Sequence, residues 1–294
     1  MEDLISKLKY RFRSGDMLTK ILFVNIGLFI LLRLAEVVCI LFGLDQSFLL
    51  WAFEMPSNLE TLLYRPWTVL TYMFVHMDIL HILFNMLWLY WFGKIFLQFF
   101  NERQLTGLYF LGGLAGALFF LVSYNVFPYF RSAAPFSHLI GASAAVMAIV
   151  FAVSFYKKDY EIQLLLIGRI KLLYLALFTL LIDLISITSE NAGGHLAHIG
   201  GALIGIWFAY RIRQGKDLTT PFNRILDALC NIGKRRPKMT VTHTKTSKNA
   251  DYEYNARKNE NTEKMNQILD KVKQSGYDSL SLEEKKSLFD ASKR

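Results

Sequence analysis

The chain has 294 residues, 53% of them hydrophobic and only 19% charged, with a mean hydropathy of +0.29. That is too apolar for an ordinary soluble domain, so a membrane protein is the first expectation. A formal net charge of +9 would suggest a nucleic-acid partner if it covered a globular domain, but 19 of the 33 Lys and Arg residues lie at or after Arg211. The basic excess belongs to a polar tail, and no nucleic-acid binding is expected.

In chain order, residues 1–17 form a polar segment with Lys7, Lys9, Arg11 and Arg13. The apolar run that follows is too long for a signal-peptide core and shows no small-residue cleavage site, so no cleaved signal is expected. A helix needs about 20 mostly apolar residues to cross a hydrocarbon core of about 30 Å. Six such runs emerge, at 18–43, 79–100, 104–127, 139–156, 168–188 and 192–212. The fourth and sixth are rich in Gly and Ala, which favours close packing of one on the other. Between the first two, residues 44–75 carry Trp51, Phe53, Met55, Pro56, Pro66 and Trp67, the composition of an interfacial lobe on the outer side. Lys and Arg fall in alternate connections, so both termini are expected in the cytoplasm, consistent with an even number of spans.

After the spans, residues 213–260 read as an amphipathic stretch (Phe222, Ile225, Leu226, Leu229, Ile232) followed from about 234 by a disordered linker. Residues 261–294 read as a small cytoplasmic helical hairpin, with Met265, Ile268, Leu269 and Val272 on one face and Ser281 with Glu284 as a capping box. A cytoplasmic partner for this tail is one expectation. Cys39 and Cys230 have no evident partners, and no disulfide framework is implied.

Polar side chains inside spans are costly, and each marks function or packing. His81 and Asn85 are four residues apart, one turn of one helix face, and could donate to one point. Ser143, in Gly141-Ala142-Ser143-Ala144-Ala145, lies at the start of the fourth span, where unpaired N–H groups and the helix dipole favour negative charge. His198 shares a helix with the Gly201 and Gly205 pair, a spacing that lets the sixth span pack on the fourth and bring His198 within reach of Ser143. Taken singly, each has an ordinary reading, the serine as a small packing residue and the histidine as a satisfied interfacial one. Their co-occurrence, in order and toward the outer ends of their spans, favours chemistry. A metal cluster of His76, His81, His195 and His198 is the competing reading, disfavoured because no His-Glu-x-x-His and no evident carboxylate ligand accompany them. His195 reads as a structural or loop-end histidine, and Asp183 as a buried acid that bonds to a neighbouring helix or faces water, without catalytic work. Arg33 and Glu36 read as a pair, and Gly112, Gly113 and Gly116 as a packing face.

The run from His76 through His81 to Asn85 resembles the second-helix motif of bacterial rhomboid proteases. Gly141-Ala142-Ser143 resembles the start of that family's Gly-x-Ser-Gly motif, Ala197-His198-x-x-Gly201-x-x-x-Gly205 its histidine helix, and Arg65-Pro66-Trp67 the end of its outer loop. Three positions depart from the pattern: Ala144 for the motif's second glycine, with Gly200 a candidate to supply the room, Met147 where an aromatic often faces the histidine, and Thr68 where Arg is common.

The resemblance implies an all-α polytopic membrane protein, a six-transmembrane-helix rhomboid bundle (18–212) with a small C-terminal helical tail. It implies a serine endopeptidase that cleaves transmembrane segments of membrane proteins in the lipid bilayer. Ser143 would be the nucleophile and His198 the base, as a dyad without a carboxylate. His81, Asn85 and the Ser143 N–H would hold the oxyanion, with His76, Gly141, Met147 and Gly201 in support and no cofactor or metal. The rival readings are a rhomboid-like pseudoprotease, expected to lack Ser143 or His198, and a transporter, expected to show repeat symmetry.

Overall fold

The structure is a computed structural model that describes residues 2–164, 168–231 and 248–292. Its contacts divide the chain into two units, Met1–Ile232 and Gly233–Arg294.

In the first unit, helix α1 (Glu2–Ser14) precedes α2 (Met17–Leu41), which starts where the Asp16 carboxylate accepts the Thr19 N–H at 2.8 Å. The lobe that follows consists of short pieces: α3 (Ser47–Trp51), strand β1 (Met55–Pro56), α4 (Leu59–Tyr64) and α5 (Thr68–Thr71). Arg65 ties them together: it is 1% exposed, donates to the Trp51 carbonyl, and lies over the Trp51 ring at 4.5 Å. The Trp67 indole donates to the Ala52 carbonyl at 2.9 Å.

Helix α6 (Ile79–Phe99) is capped by Asp78, and α7 (Glu102–Val126) by an Asn101 and Gln104 capping box. These two, with α2 and the later α10 (Ala192–Arg213), are long and apolar enough to cross a membrane by length and composition. Helices α8 (Ser143–Tyr156) and α9 (Leu172–Ile185) are apolar but have 14 residues each, about 21 Å at 1.5 Å per residue. All side chains of α8 from Ala144 to Ser154 are buried. It is the central helix, apolar all round because protein surrounds it.

Both short helices begin later than the hydropathy runs predict. Residues before α8 form strand β2 (His138–Leu139), which pairs antiparallel with β1, Met55 opposite Leu139. Residues before α9 form an antiparallel ladder of β3 (Glu161–Leu164) and β4 (Gly168–Lys171), at whose end Lys171 also pairs with Asp159 at 2.7 Å. Apolar content alone does not separate such strands from a helix.

The amphipathic α11 (Thr220–Cys230) docks on the start of α7: Asn223 donates to the Arg103 carbonyl at 3.0 Å, and the Phe222 and Phe110 rings lie 5.7 Å apart. Ile225 and Leu229 of its apolar set stay exposed, and Ile232 lies outside the described residues.

In the second unit, α12 (Lys248–Ser275) begins inside the stretch expected to be a disordered linker, so that expectation is corrected for residues 248–260. Polar i,i+4 pairs such as Glu260 with Lys264 support a helix that composition alone argues against. Residues 234–247 of the expected linker lie outside the described residues. The chain turns at Gly276, where φ is 78°, and α13 (Leu282–Ser292) opens with the expected capping box: Ser281 N–H to Glu284 at 2.7 Å, Glu284 N–H to the Ser281 hydroxyl at 3.3 Å.

Candidate active site

Ser143 is placed by backbone geometry. Gly141 has φ 110°, a conformation L side chains rarely adopt, and its N–H donates to the Tyr72 carbonyl at 2.9 Å. A β-carbon there would meet His81 Nε2 at 2.8 Å and Ser143 Oγ at 3.8 Å, so the glycine is what lets the His81 ring reach the serine. The next N–H, of Ala142, donates to His76 Nε2 at 3.4 Å. Helix α8 has no side-chain cap, and among the described residues the Ser143 N–H has no acceptor.

His76 is 3% exposed and its ring meets His81 edge to face at 5.0 Å. Burial, reinforced by the neighbouring His81 imidazole, pushes His76 down from 6.5 to about 3, so it works as a neutral acceptor for the loop. On α6, His81 and Asn85 lie on one face as expected. Part of the Asn85 amide is already used, since its Nδ2 donates to the His81 carbonyl at 3.0 Å. The second N–H of that amide is left for a ligand.

Helix α10 carries His198 and rests on α8 through its glycines. A β-carbon on Gly201 would lie 2.1 Å from the Ala144 carbonyl oxygen, and one on Gly205 2.3 Å from that of Ala148. The Gly200 expectation is corrected, since Gly200 faces α7, where its β-carbon would meet the Ala115 carbonyl oxygen at 2.6 Å. Room for the Ala144 methyl comes from Gly116 on α7, where an added β-carbon would lie 2.5 Å from it. The Gly112, Gly113 and Gly116 face is thus a packing face, as expected.

A cavity of about 680 Å³ collects these groups, lined by His81, Asn85, Ser143, Met147, Asp183 and His198 among others. Met147 is 6% exposed and faces the same space as His198. Among the described residues Ser143 Oγ has no hydrogen bond to His198; catalytic hydrogen bonds are often long before a substrate is bound.

The expectation that no carboxylate lies beside His195 and His198 is overturned. Asp183 Oδ1 of α9 lies 2.8 Å from His198 Nδ1 and 2.8 Å from His195 Nδ1. His195 is therefore a partner of Asp183 and more than a loop-end residue. Asp183 and His198 are 15 residues apart on different helices, so spacing could not pair them. The available signal was a lone acid in an apolar run, which has to find partners. Asp183, His195 and His198 put three ligand atoms within 4.8 Å of one another, the number a metal ion could use. A tetrahedral ion bound at about 2.0 to 2.1 Å would hold them about 3.3 Å apart, and the observed 2.8 Å is a hydrogen-bond separation.

An all-α, multi-pass membrane protein with a serine, an amide and imidazoles around one cavity is the class this fold and site define. A rhomboid domain model matches residues 64–215, more than half of the chain, and the chain belongs to the rhomboid family. It is 30% identical to "RHOMBOID-like protein 12, mitochondrial" of Arabidopsis thaliana, over 52% of this chain and 48% of that one. It is 27% identical to "Rhomboid-like protein 16, chloroplastic" of the same plant, over 59% and 57% of the two chains. The chain spans about half the length of these relatives. Residues 248–294 match a separate family of unknown function, DUF6576.

Proposed function

We propose that the protein is an intramembrane serine endopeptidase that cleaves a peptide bond in or beside a transmembrane segment of another membrane protein. The observation that carries this reading is the convergence of Ser143, His198, His81 and Asn85 on one cavity from three separate helices. Ser143 Oγ attacks the scissile carbonyl while His198 Nε2 takes its proton, forming a tetrahedral oxyanion. The Ser143 N–H, the free Asn85 N–H and His81 Nε2 stabilise that charge. Collapse breaks the C–N bond, His198 returns the proton to the leaving amine, and water then hydrolyses the acyl-serine by the same route in reverse.

A helical substrate hides its carbonyls behind i,i+4 hydrogen bonds, so segments with Gly or Pro near the cleavage site unwind at lower cost. Preferred substrates carry such residues and a small side chain just before the scissile bond. The cavity opens toward the outer side of a cell inner membrane with both termini cytoplasmic, and the 248–294 unit meets a cytoplasmic partner. The reaction needs no metal or cofactor and proceeds in chelator.

The test is purified protein in detergent with a generic transmembrane substrate, comparing wild type with Ser143→Ala and His198→Ala. Cleavage by wild type alone, together with fluorophosphonate labelling of Ser143, is the expected result. Equal turnover in all three would sink the assignment of Ser143 and His198 as the dyad, and none in any would return the protein to a non-catalytic role in binding membrane proteins.

A further inference from the structure

We propose that Asp183 is the positioning residue of His198, so that the array at this site is Ser143, His198 and Asp183, with His195 as a second imidazole on the same carboxylate oxygen. The inference rests on the reading of His198 as general base. It departs from the bare dyad that the motifs imply.

The geometry is specific. Asp183 belongs to α9, its side chain is 6% exposed, and its Oδ1 lies 2.8 Å from Nδ1 of both His198 and His195. One carboxylate oxygen accepting from two rings requires both to carry their proton on Nδ1. For His198 this leaves the Nε2 lone pair free, the tautomer a base facing Ser143 must have. The partner ring serves the carboxylate: His195 is one turn before His198 on α10, and its N–H turns Oδ1 toward that helix. A buried acid in an apolar helix would otherwise be left without donors.

The arrangement also answers how His198 is held. Backbone contact at Gly201 fixes the helix, yet it does not fix rotation of the imidazole about its own side-chain bonds. Met147, an unbranched thioether, restrains a neighbouring ring less than an aromatic would. Asp183, reaching from α9, supplies a directional restraint and a negative charge at Nδ1 that favours the imidazolium formed during attack. The proton travels between Ser143, Nε2 and the leaving amine, and the carboxylate takes no part in its transfer.

The experiment uses the full chain in detergent with a transmembrane substrate and, in parallel, a fluorophosphonate probe. Asp183→Asn keeps shape and removes the charge; the expected result is a kcat at least about tenfold lower with KM within about twofold, and Ser143 labelling slowed in proportion. His195→Gln is expected to lower kcat less than Asp183→Asn does. Nitrogen-15 spectra of histidine-labelled wild type, with the His198 signal assigned by its loss in His198→Ala, should show a neutral ring protonated at Nδ1. That measurement does not depend on any variant at Asp183 folding. An Nε2-protonated His198, or Asp183→Asn turnover within twofold of wild type, overturns the inference while leaving Ser143 and His198 in place. Loss of wild-type turnover in EDTA with recovery on adding zinc also overturns it, by making Asp183 a metal ligand. If Ser143→Ala cleaves as wild type does, the protease reading itself has failed, a different outcome.

Discussion

Gly201 and Ala144 touch backbone to backbone: a β-carbon on Gly201 would lie 2.1 Å from the Ala144 carbonyl oxygen, and no rotamer of a larger side chain avoids a carbonyl. With the same contact repeated at Gly205 and Ala148, α10 is pinned along α8. This is the interaction that sets the distance between Ser143 and His198.

Gly201→Val should therefore separate the two helices. Overpacking of this kind costs about 1 to 3 kcal/mol, and the displaced base should cost more activity than the fold loses in stability. Melting curves in detergent and fluorophosphonate labelling read the two effects. Unchanged labelling of Ser143 in this variant would show that the contact does not position the base.

Gly116 and Ala144 form a second pair of this kind, between α7 and α8, where an added β-carbon would lie 2.5 Å from the Ala144 methyl. Gly116→Ala alone should destabilise by about 1 to 3 kcal/mol, and adding Ala144→Gly should restore part of the loss. A double-mutant cycle measures this as a coupling of about 0.5 kcal/mol or more. Strictly additive melting shifts would contradict the contact.

At Gly141, φ of 110° and the His81 ring 2.8 Å from the added β-carbon make Gly141→Ala doubly unfavourable. Backbone strain of this sort costs about 1 to 3 kcal/mol. Because the strain falls in the loop before Ser143, turnover should drop severalfold even at temperatures where the variant is fully folded. Wild-type kinetics in a well-folded Gly141→Ala protein would refute this.

His81→Ala and Asn85→Ala should each lower kcat by about 10² to 10³, the usual effect of losing one oxyanion donor, with little change in KM. Asn85→Ala should also loosen α6 slightly, since its amide bonds to the His81 carbonyl. Steady-state kinetics decide it: a KM effect without a kcat effect would move these residues from the oxyanion to substrate binding.

The pH dependence of stability carries a signature of His76. Its imidazole takes a proton near pH 6.5 when unfolded and only near pH 3 in the fold. Between those values the unfolded chain binds more protons, so the contribution of neutral His76 is full above about pH 6.5 and falls as pH drops through that window. From pH 6.5 to 5 the loss is on the order of 1 to 2 kcal/mol. Melting temperatures of wild type and His76→Gln, measured at pH 7.5, 6 and 5, should converge toward acid; parallel curves would mean that His76 is not buried neutral.

Much of this site was legible because local periodicity carries it. His81 and Asn85 share a face at i,i+4, Gly201 and Gly205 share one with His198, and Ser281 with Glu284 forms the capping box that opens α13. The beginnings of α8 and α9 were not legible. Strand β2 exists only because Met55 lies opposite Leu139, 84 positions away in the chain, and a hydropathy run contains no record of that pairing.

By itself the sequence determined the membrane character, the order of the apolar helices and which polar side chains fall near one end of them, because burial of apolar surface and helical period are local properties of the chain. Tertiary structure alone decided that Asp183 reaches both His195 and His198, that Gly116 rather than Gly200 makes room for Ala144, and that Gly141 opens the way from His81 to Ser143. Each of these depends on how one helix is rotated and shifted against another. Close packing fixes those few degrees and fractions of an ångström, and no spacing along the chain encodes them.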